Sequence, residues 1–366
     1  MDKTKTDCVT EKMSKILVLV NADTAIYNIR LELVQKLLQL GHQVTFVCPR
    51  GDRTDELVAL GCKHVALEIA RHGKNPLQDL KLLKGYKRII KNEKPNVVFS
   101  YTIKCNVYGG MACQKLKVPY VANVTGLGDA IENGGLLQKL TLFLYKKGLK
   151  KAKKIYFQNK ANLDFFVAKK VVKDRFELLP GSGVNLKKFV LTEYPKDEQV
   201  RFAFVGRVTQ DKGVNELAQA IKRINVTHEN VCFDIVGGLE QAVNPFEGLE
   251  RCTYHGEQKN VYPYLQNAHA IILPTYHEGM ANVLLEASAS GRPVLATTVP
   301  GCIETFDEGV SGFGFEPKSV DAIVQTVERF LALSYEEKRK MGENARIKIE
   351  KSFDRNIIIN KYVEQI

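Results

Sequence analysis

The chain alternates short uninterrupted apolar runs with longer segments in which apolar positions recur every three or four residues. The first pattern marks strands buried on both faces, and the second marks helices that cover them. From residue 15 the order is strand 16–20, helix 29–40 closed by Gly41, strand 44–48, short helix 55–60 followed by Gly61, and an extended 65–67. Helix 77–91, strand 97–101, helix 107–116 and strand 120–123 continue it. A second run follows the linker-like 191–198: strand 201–205, helix 214–224, strands 231–236 and 270–273, a helix entered with Asn282 as N-cap, and strand 294–297. Residues 335–366 read as helical, with a break at 352–354. Such alternation specifies an α/β chain with parallel, doubly wound sheets, and 366 residues exceed the size of one core. The expected organisation is a flexible leader over 1–14, a first Rossmann-like domain over 15–190, a second over 191–345, and a helical segment over 346–366 that is a candidate to return to the first domain.

Composition narrows the class. With 45% hydrophobic and 26% charged residues the chain has an ordinary globular balance. No stretch approaches the roughly 18 apolar residues that span a bilayer. The polar start, MDKTKTDCVTEKMSK, lacks the apolar centre of a signal peptide. Eight cysteines, Cys8 among them, form no C-x-x-C pair and read as reduced, buried thiols of a cytoplasmic protein. Charge is uneven: residues 1–195 hold 34 Lys+Arg against 17 Asp+Glu, whereas 196–366 hold 19 against 24. A basic first half implies an anionic surface met by that half alone, and nucleic acid and anionic lipid both qualify. Within it, LLQKLTLFLYKKGLKKAKK (136–154) places seven lysines beside leucines and a phenylalanine. A basic amphipathic helix of this kind binds an anionic bilayer, with Lys146, Lys147, Lys150, Lys151, Lys153 and Lys154 meeting headgroups. The plainer reading is a packed helix with a solvated basic face; the charge excess of this half favours the membrane.

Candidate chemistry gathers at strand ends. Gly206-Arg207-Val208-Thr209-Gln210-Asp211-Lys212-Gly213 follows the first strand of the second run. Its glycine permits close backbone approach, while Arg207 and Lys212 supply the cations a diphosphate needs. Gly237 with Gly238, and Glu304 after Gly301, stand at further strand ends. Between them Glu278 and Glu286 stand eight residues apart, with Gly279 beside the first and a helix start between them. A glycine and a carboxylate where strand gives way to helix is a setting for phosphorylated ligands. In the first half, Tyr27 and Arg30 follow the first strand, Lys104 and Asn106 lie in the segment 100–106, and Thr125 and Gly126 lie in the segment 123–128 that ends at Gly128. All six are acceptor-side candidates, with a structural role the alternative for Tyr27 and Arg30. His64 and His72 read as surface or packing residues.

Gly206-Arg207…Lys212-Gly213, Glu278-Gly279…Glu286 and Gly291-Arg292-Pro293-Val294, in this order, resemble the motifs of the retaining GT-B glycosyltransferases of family four. The likeness spans about residues 15 to 366. It implies two Rossmann-like domains facing a central cleft, with a sugar nucleotide on the second and an acceptor on the first. By position, Arg207 and Lys212 would hold the donor diphosphate and Glu286 the ribose hydroxyls. Glu278 would meet the donor sugar, with Gly279, Met280 and Ala281 offering backbone amides to sugar and phosphate, Asn282 also on the donor, and residues 256–261 seating the base. Met280-Ala281 replaces the commoner Phe-Pro, which implies a different sugar-facing wall. No Asp-x-Asp occurs, consistent with a class that needs no metal or other cofactor. Segments 100–106, 123–128 and 183–189 are similar to bacterial transferases that add N-acetylgalactosamine to a polyprenyl-diphosphate-linked saccharide. The resemblance therefore implies a UDP-sugar donor, a lipid-linked acceptor, a place on the inner face of the cell membrane and no nucleic-acid partner. Two other functions share some of these features: a GT-B epimerase of UDP-N-acetylglucosamine, and a nucleic-acid-binding or scaffold protein using the basic half.

Overall fold

Apolar runs become buried strands throughout. The structure, a computed structural model, describes residues 13–69, 75–127, 134–196 and 198–366. Most of the expected leader, with Cys8, and also His72 and Gly128 lie outside the described residues. One sheet has the order β3 (Lys63–Ala66), β2 (Gln43–Cys48), β1 (Lys15–Leu19), β4 (Val97–Tyr101), β5 (Tyr120–Val124), β6 (Lys154–Phe157) and β7 (Phe176–Leu178), with β1 to β6 parallel. A second has the order β10 (Cys252–Tyr254), β9 (Val231–Val236), β8 (Val200–Val205), β11 (Ala270–Leu273), β12 (Val294–Thr297) and β13 (Gly312–Phe315), parallel at every pairing. Each sheet has its own apolar core, one built on Leu17, Val98 and Ala122, the other on Phe202, Ile271 and Leu295. Continuous burial of β4, β5, β9, β11 and β12 follows from helices on both sheet faces.

The chain divides into two compact units, one made of residues up to Phe157 with Leu163–Glu177 and Ile359–Ile366, the other of Gln158–Asn162 and Leu178–Ile358. The expected boundary at 190/191 thus falls inside the second unit. The reason is packing: Val184 donates its amide to Phe353 O at 2.8 Å, Arg355 donates to Gly183 O, and Phe189 joins the second core. The polar stretch after 191 is a strap held by Arg292, whose guanidinium reaches Thr192 and Glu193.

Three helical expectations change in detail. The helix expected over 29–40 runs Leu31–Gln39, and a separate short helix, Thr24–Tyr27, precedes it, because the chain breaks at Arg30 (φ −126°). Segment 107–116 opens with a π-helical turn, Cys105–Gly109, before Gly110–Leu116. There the buried Asn106 side chain is drawn to Asn123 O (2.8 Å) and Ser100 Oγ (2.8 Å). The lysine-rich helix runs Gly135–Leu149, so Lys151, Lys153 and Lys154 lie past its end. At the C-terminus the break falls where expected, between Tyr335–Ser352 and Arg355–Val363. Tyr362, on the last helix, packs its ring against Phe99, Tyr101 and Tyr156, and its hydroxyl accepts from Asn123 Nδ2 at 2.8 Å.

Candidate active site

Counted from β8, the second sheet has the order 3-2-1-4-5-6, and connections leave in opposite directions from β8 and β11. A doubly wound sheet opens a crevice at the carboxyl ends of such a strand pair. The loops there are 206–213 after β8 and 274–281 after β11, with 237–238 after β9 and 298–302 after β12 beside them. They lie so close that two of their glycines admit no side chain. Gly213 (φ +68°) would drive a Cβ into Pro274 O, and Gly237 (φ +149°) would drive one into Gly206 O. Val208 and the 238–240 backbone exchange hydrogen bonds of 2.8 and 3.1 Å, joining the first and third loops.

Lys212 and Glu278 meet across this crevice. Lys212 Nζ donates to Glu278 Oε1 at 2.5 Å, with side chains 14% and 18% exposed. Burial strengthens such a pair, and both partners remain within reach of an entering ligand. Arg207 is 56% exposed and contacts Glu240 at 2.8 Å and Asp211 at 3.8 Å. Burial pushes the Asp211 carboxyl up, but the Thr209 side chain and then the Lys212 and Arg207 charges outweigh it and leave the group below its ordinary value. Burial, then the Glu216 carboxylate that accepts its proton at 2.7 Å, pushes the Tyr276 phenol well up. Burial likewise pushes the Cys302 thiol far above its ordinary value, which leaves it inert.

Helix Asn282–Ala289 starts at this crevice. Its N-cap is Ala281, without a side-chain cap bond, so the expected Asn282 cap is displaced by one residue. Ala281 lies outside the helical region (ψ 86°) and its amide is held by Gly301 O at 2.8 Å, which makes Asn282 the first helical residue. Asn282 Oδ1 is buried with no hydrogen-bond partner. Four residues on, Glu286 lies on the same helix face, half-buried. The Met280 side chain is buried in the second core, against Gly181, which leaves for the crevice its backbone amide, the group the motif singled out. Glu304 accepts the Gly301 amide at 2.7 Å and braces that turn. One contact had no signal in the sequence. Asn159, 1% exposed, donates to Gly279 O at 2.7 Å and Glu278 O at 3.5 Å. An asparagine ahead of an apolar helix suggests only a cap. Arg292, in the Gly-x-Pro-Val motif, is wholly structural: it donates to Gln266 O, Ser290 O, Thr192 O and Oγ1, and Glu193 O.

Two family descriptions match the chain: Glycosyl transferase 4-like over residues 15–159, and Glycosyl transferases group 1 over 189–348. The chain is a GT-B glycosyltransferase. Among curated relatives, it is 26% identical over 368 residues to a Campylobacter jejuni N,N'-diacetylbacillosaminyl-diphospho-undecaprenol alpha-1,3-N-acetylgalactosaminyltransferase, covering 94% of this chain and 96% of the relative. It is 27% identical to the Staphylococcus aureus capsular polysaccharide biosynthesis glycosyltransferase CapM, covering 76% and 78%. Anabaena Alr3699/HepE, solved in complex with UDP-glucose, shares the fold at TM-score 0.78 and 16% identity over 96% of this chain and all of that one.

In the first unit of this glycosyltransferase two acceptor-side candidates are structural. Arg30 is buried, stacked 3.8 Å over the Tyr101 ring and donating to Ala25 O. Asn106 is spent on Ser100 and Asn123. Lys104 pairs with Asp79 at 2.9 Å. Tyr27 lies under the Arg53 guanidinium at 4.5 Å, and Thr125 and Gly126 stand half-buried directly after β5. His64 is a packing residue, against Phe46. A cavity of about 380 Å³ lined by His42, Lys63 and Glu93 opens at the amino ends of β1 and β2, the wrong strand edge for a doubly wound ligand site.

Proposed function

We propose that this enzyme moves a sugar from a UDP-sugar to a polyprenyl-diphosphate-linked saccharide with retention of configuration. The best reading of the sugar is N-acetylgalactosamine or a related N-acetylhexosamine or hexose. The observation that carries the donor reading is the Lys212–Glu278 pair at the sheet's switch point, beside a helix start with no side-chain cap. A diphosphate entering there draws Lys212 away from Glu278, which frees the carboxylate for sugar hydroxyls. As the glycosyl–phosphate bond breaks, the anomeric carbon becomes cationic and the diphosphate gains charge. Lys212, Arg207 and the first amides of helix 282–289 stabilise that charge, so this reading requires no metal. The acceptor oxygen bonds to the anomeric carbon on the face the diphosphate leaves, its proton passes to the departing phosphate oxygen, and UDP departs. Support for the acceptor is the match over nearly the whole chain to a transferase named for a lipid-diphosphate acceptor.

UDP release that requires a lipid-linked acceptor tests transfer; sugar-nucleotide interconversion without acceptor would show epimerisation instead. Glu286→Ala is expected to weaken UDP binding about tenfold, the loss of a hydrogen bond to a charged group. Calorimetric titration of UDP measures it, and an unchanged Kd removes Glu286 from the ribose.

A membrane seat for the first unit belongs to the same reading. Helix Gly135–Leu149 exposes Leu136 (83%), Leu140 (52%) and Phe143 (55%) at positions i, i+4 and i+7, one face of the helix. Exposed Lys146, Lys147, Lys150 and Lys151 follow at its end. Lys153 instead donates to Gln365 O at 2.6 Å, and Lys154 pairs with Glu177, so those two leave the candidate set. Among the described residues no helix is long and apolar enough to cross a membrane. Replacing Leu136, Leu140 and Phe143 with serine is expected to abolish sedimentation with anionic vesicles while sparing transfer to a water-soluble acceptor. Equal loss on the soluble acceptor would make this face part of the fold or the site.

A further inference from the structure

We infer that Asn159 is a positioning residue that aims the backbone amides of the Glu278–Met280 turn at the donor, and so sets where Glu278 stands. The inference rests on the donor reading above. Asn159 stands two residues after β6, and its amide group has two ends with separate tasks. Oδ1 accepts the Asn162 amide at 2.8 Å, three residues on, which is an N-cap bond for helix Lys160–Ala168. Nδ2 donates to Gly279 O at 2.7 Å and Glu278 O at 3.5 Å.

Both peptides held this way are trans. In a planar trans peptide the C=O and N–H point in opposite directions. Turning the Glu278 and Gly279 carbonyls toward Asn159 therefore turns the Gly279 and Met280 amides to the opposite side. Ala281 is fixed from its own side by Gly301 O. The turn is thus held at both ends, with Gly301 (φ +86°) approaching Glu278 so closely that a Cβ would strike its carbonyl. Burial of Asn159 at 1% exposure keeps water from competing for these bonds. A site that stabilises a leaving diphosphate through backbone amides depends on such prior orientation.

The two tasks can be separated. Asn159→Asp and Asn159→Ser keep an oxygen for the cap, but Asp sets an acceptor against two carbonyls and Ser cannot reach them. Asn159→Ala loses both tasks. Thermal unfolding, hydrogen exchange of the 276–281 amides and calorimetric titration of UDP are measured on the full chain. Asn159→Asp is expected to keep its melting temperature near that of the parent, to exchange faster across 276–281, and to bind UDP about tenfold more weakly. Asn159→Ser should show the same faster exchange with a smaller loss. If Asp and Ser variants match the parent in loop exchange and UDP affinity while Ala only melts earlier, Asn159 is a helix cap and the inference fails. If exchange rises in the variants but the parent itself ignores UDP, the positioning role stands and the donor reading is what fails.

Discussion

Lys212→Ala is expected to lower kcat by about 10²–10³-fold, the usual cost of removing one group that meets developing charge. Lys212 stands at the end of loop 206–213, with Gly213 forced to positive φ directly behind it and Pro274 O closing off any side chain there. Its ammonium is therefore held where β8 and β11 part. In the free enzyme its partner is Glu278. Removing it leaves a partly buried carboxylate without its cation, which also repels the donor diphosphate. Lys212→Arg restores charge but not position, so partial recovery is expected. Single-turnover transfer, which separates chemistry from binding, is the measurement. Turnover within threefold of the parent would take Lys212 out of the reaction.

The second large effect concerns stability. Arg292→Met is expected to cost about 3–5 kcal/mol of unfolding free energy, because it leaves several buried carbonyls without donors. Arg292 is 1% exposed, and among the described residues its hydrogen-bond partners are carbonyls and a hydroxyl. Burial pulls its guanidinium down to about 10, so it stays charged at neutral pH and acts as a donor toward five backbone carbonyls and the Thr192 hydroxyl. Its ring neighbour is Tyr194 at 5.7 Å. Arg292 joins three segments at once: the 192–193 strap, the end of helix Tyr262–Asn267 and the turn before β12. Urea unfolding measures it, and a change under 1 kcal/mol would mean the strap holds itself.

The alternation of apolar runs made both sheets legible before any coordinates. Strands 97–101, 231–236, 270–273 and 294–297 fall where the pattern put them, because a strand buried on both faces has no other way to be written. The cluster at the strand ends was legible for a related reason: glycines, cations and carboxylates there have few structural uses, and Lys212 with Glu278 come together as charge alone would ask. What failed were residues whose partners are distant in the chain. Arg30 reads equally as an acceptor-side cation or a structural one until Tyr101 lies under it, and Asn106 reads as an acceptor-side candidate until β5 takes its amide. The domain boundary at 190 failed in the same way. The strap after it is mostly polar, yet an arginine a hundred residues later fastens it to the second unit. Met280-Ala281 in place of Phe-Pro reads as a change in the sugar-facing wall, whereas the Met280 side chain packs in the second core.

Tyr362 has a bearing on how the protein is made. The first unit draws residues 359–366 from the far end of the chain, and Tyr362 fills the space between Phe99, Tyr101 and Tyr156. A nascent chain emerging from the ribosome therefore presents the whole first sheet before its last aromatic ring has been synthesised. Until residues 359–366 emerge, those three rings and the Asn123 amide lack the partner that Tyr362 supplies, so the half translated first waits on residues made after the second. Deleting the final eight residues reproduces that state permanently, so a short cut at one terminus strips the core formed by the other.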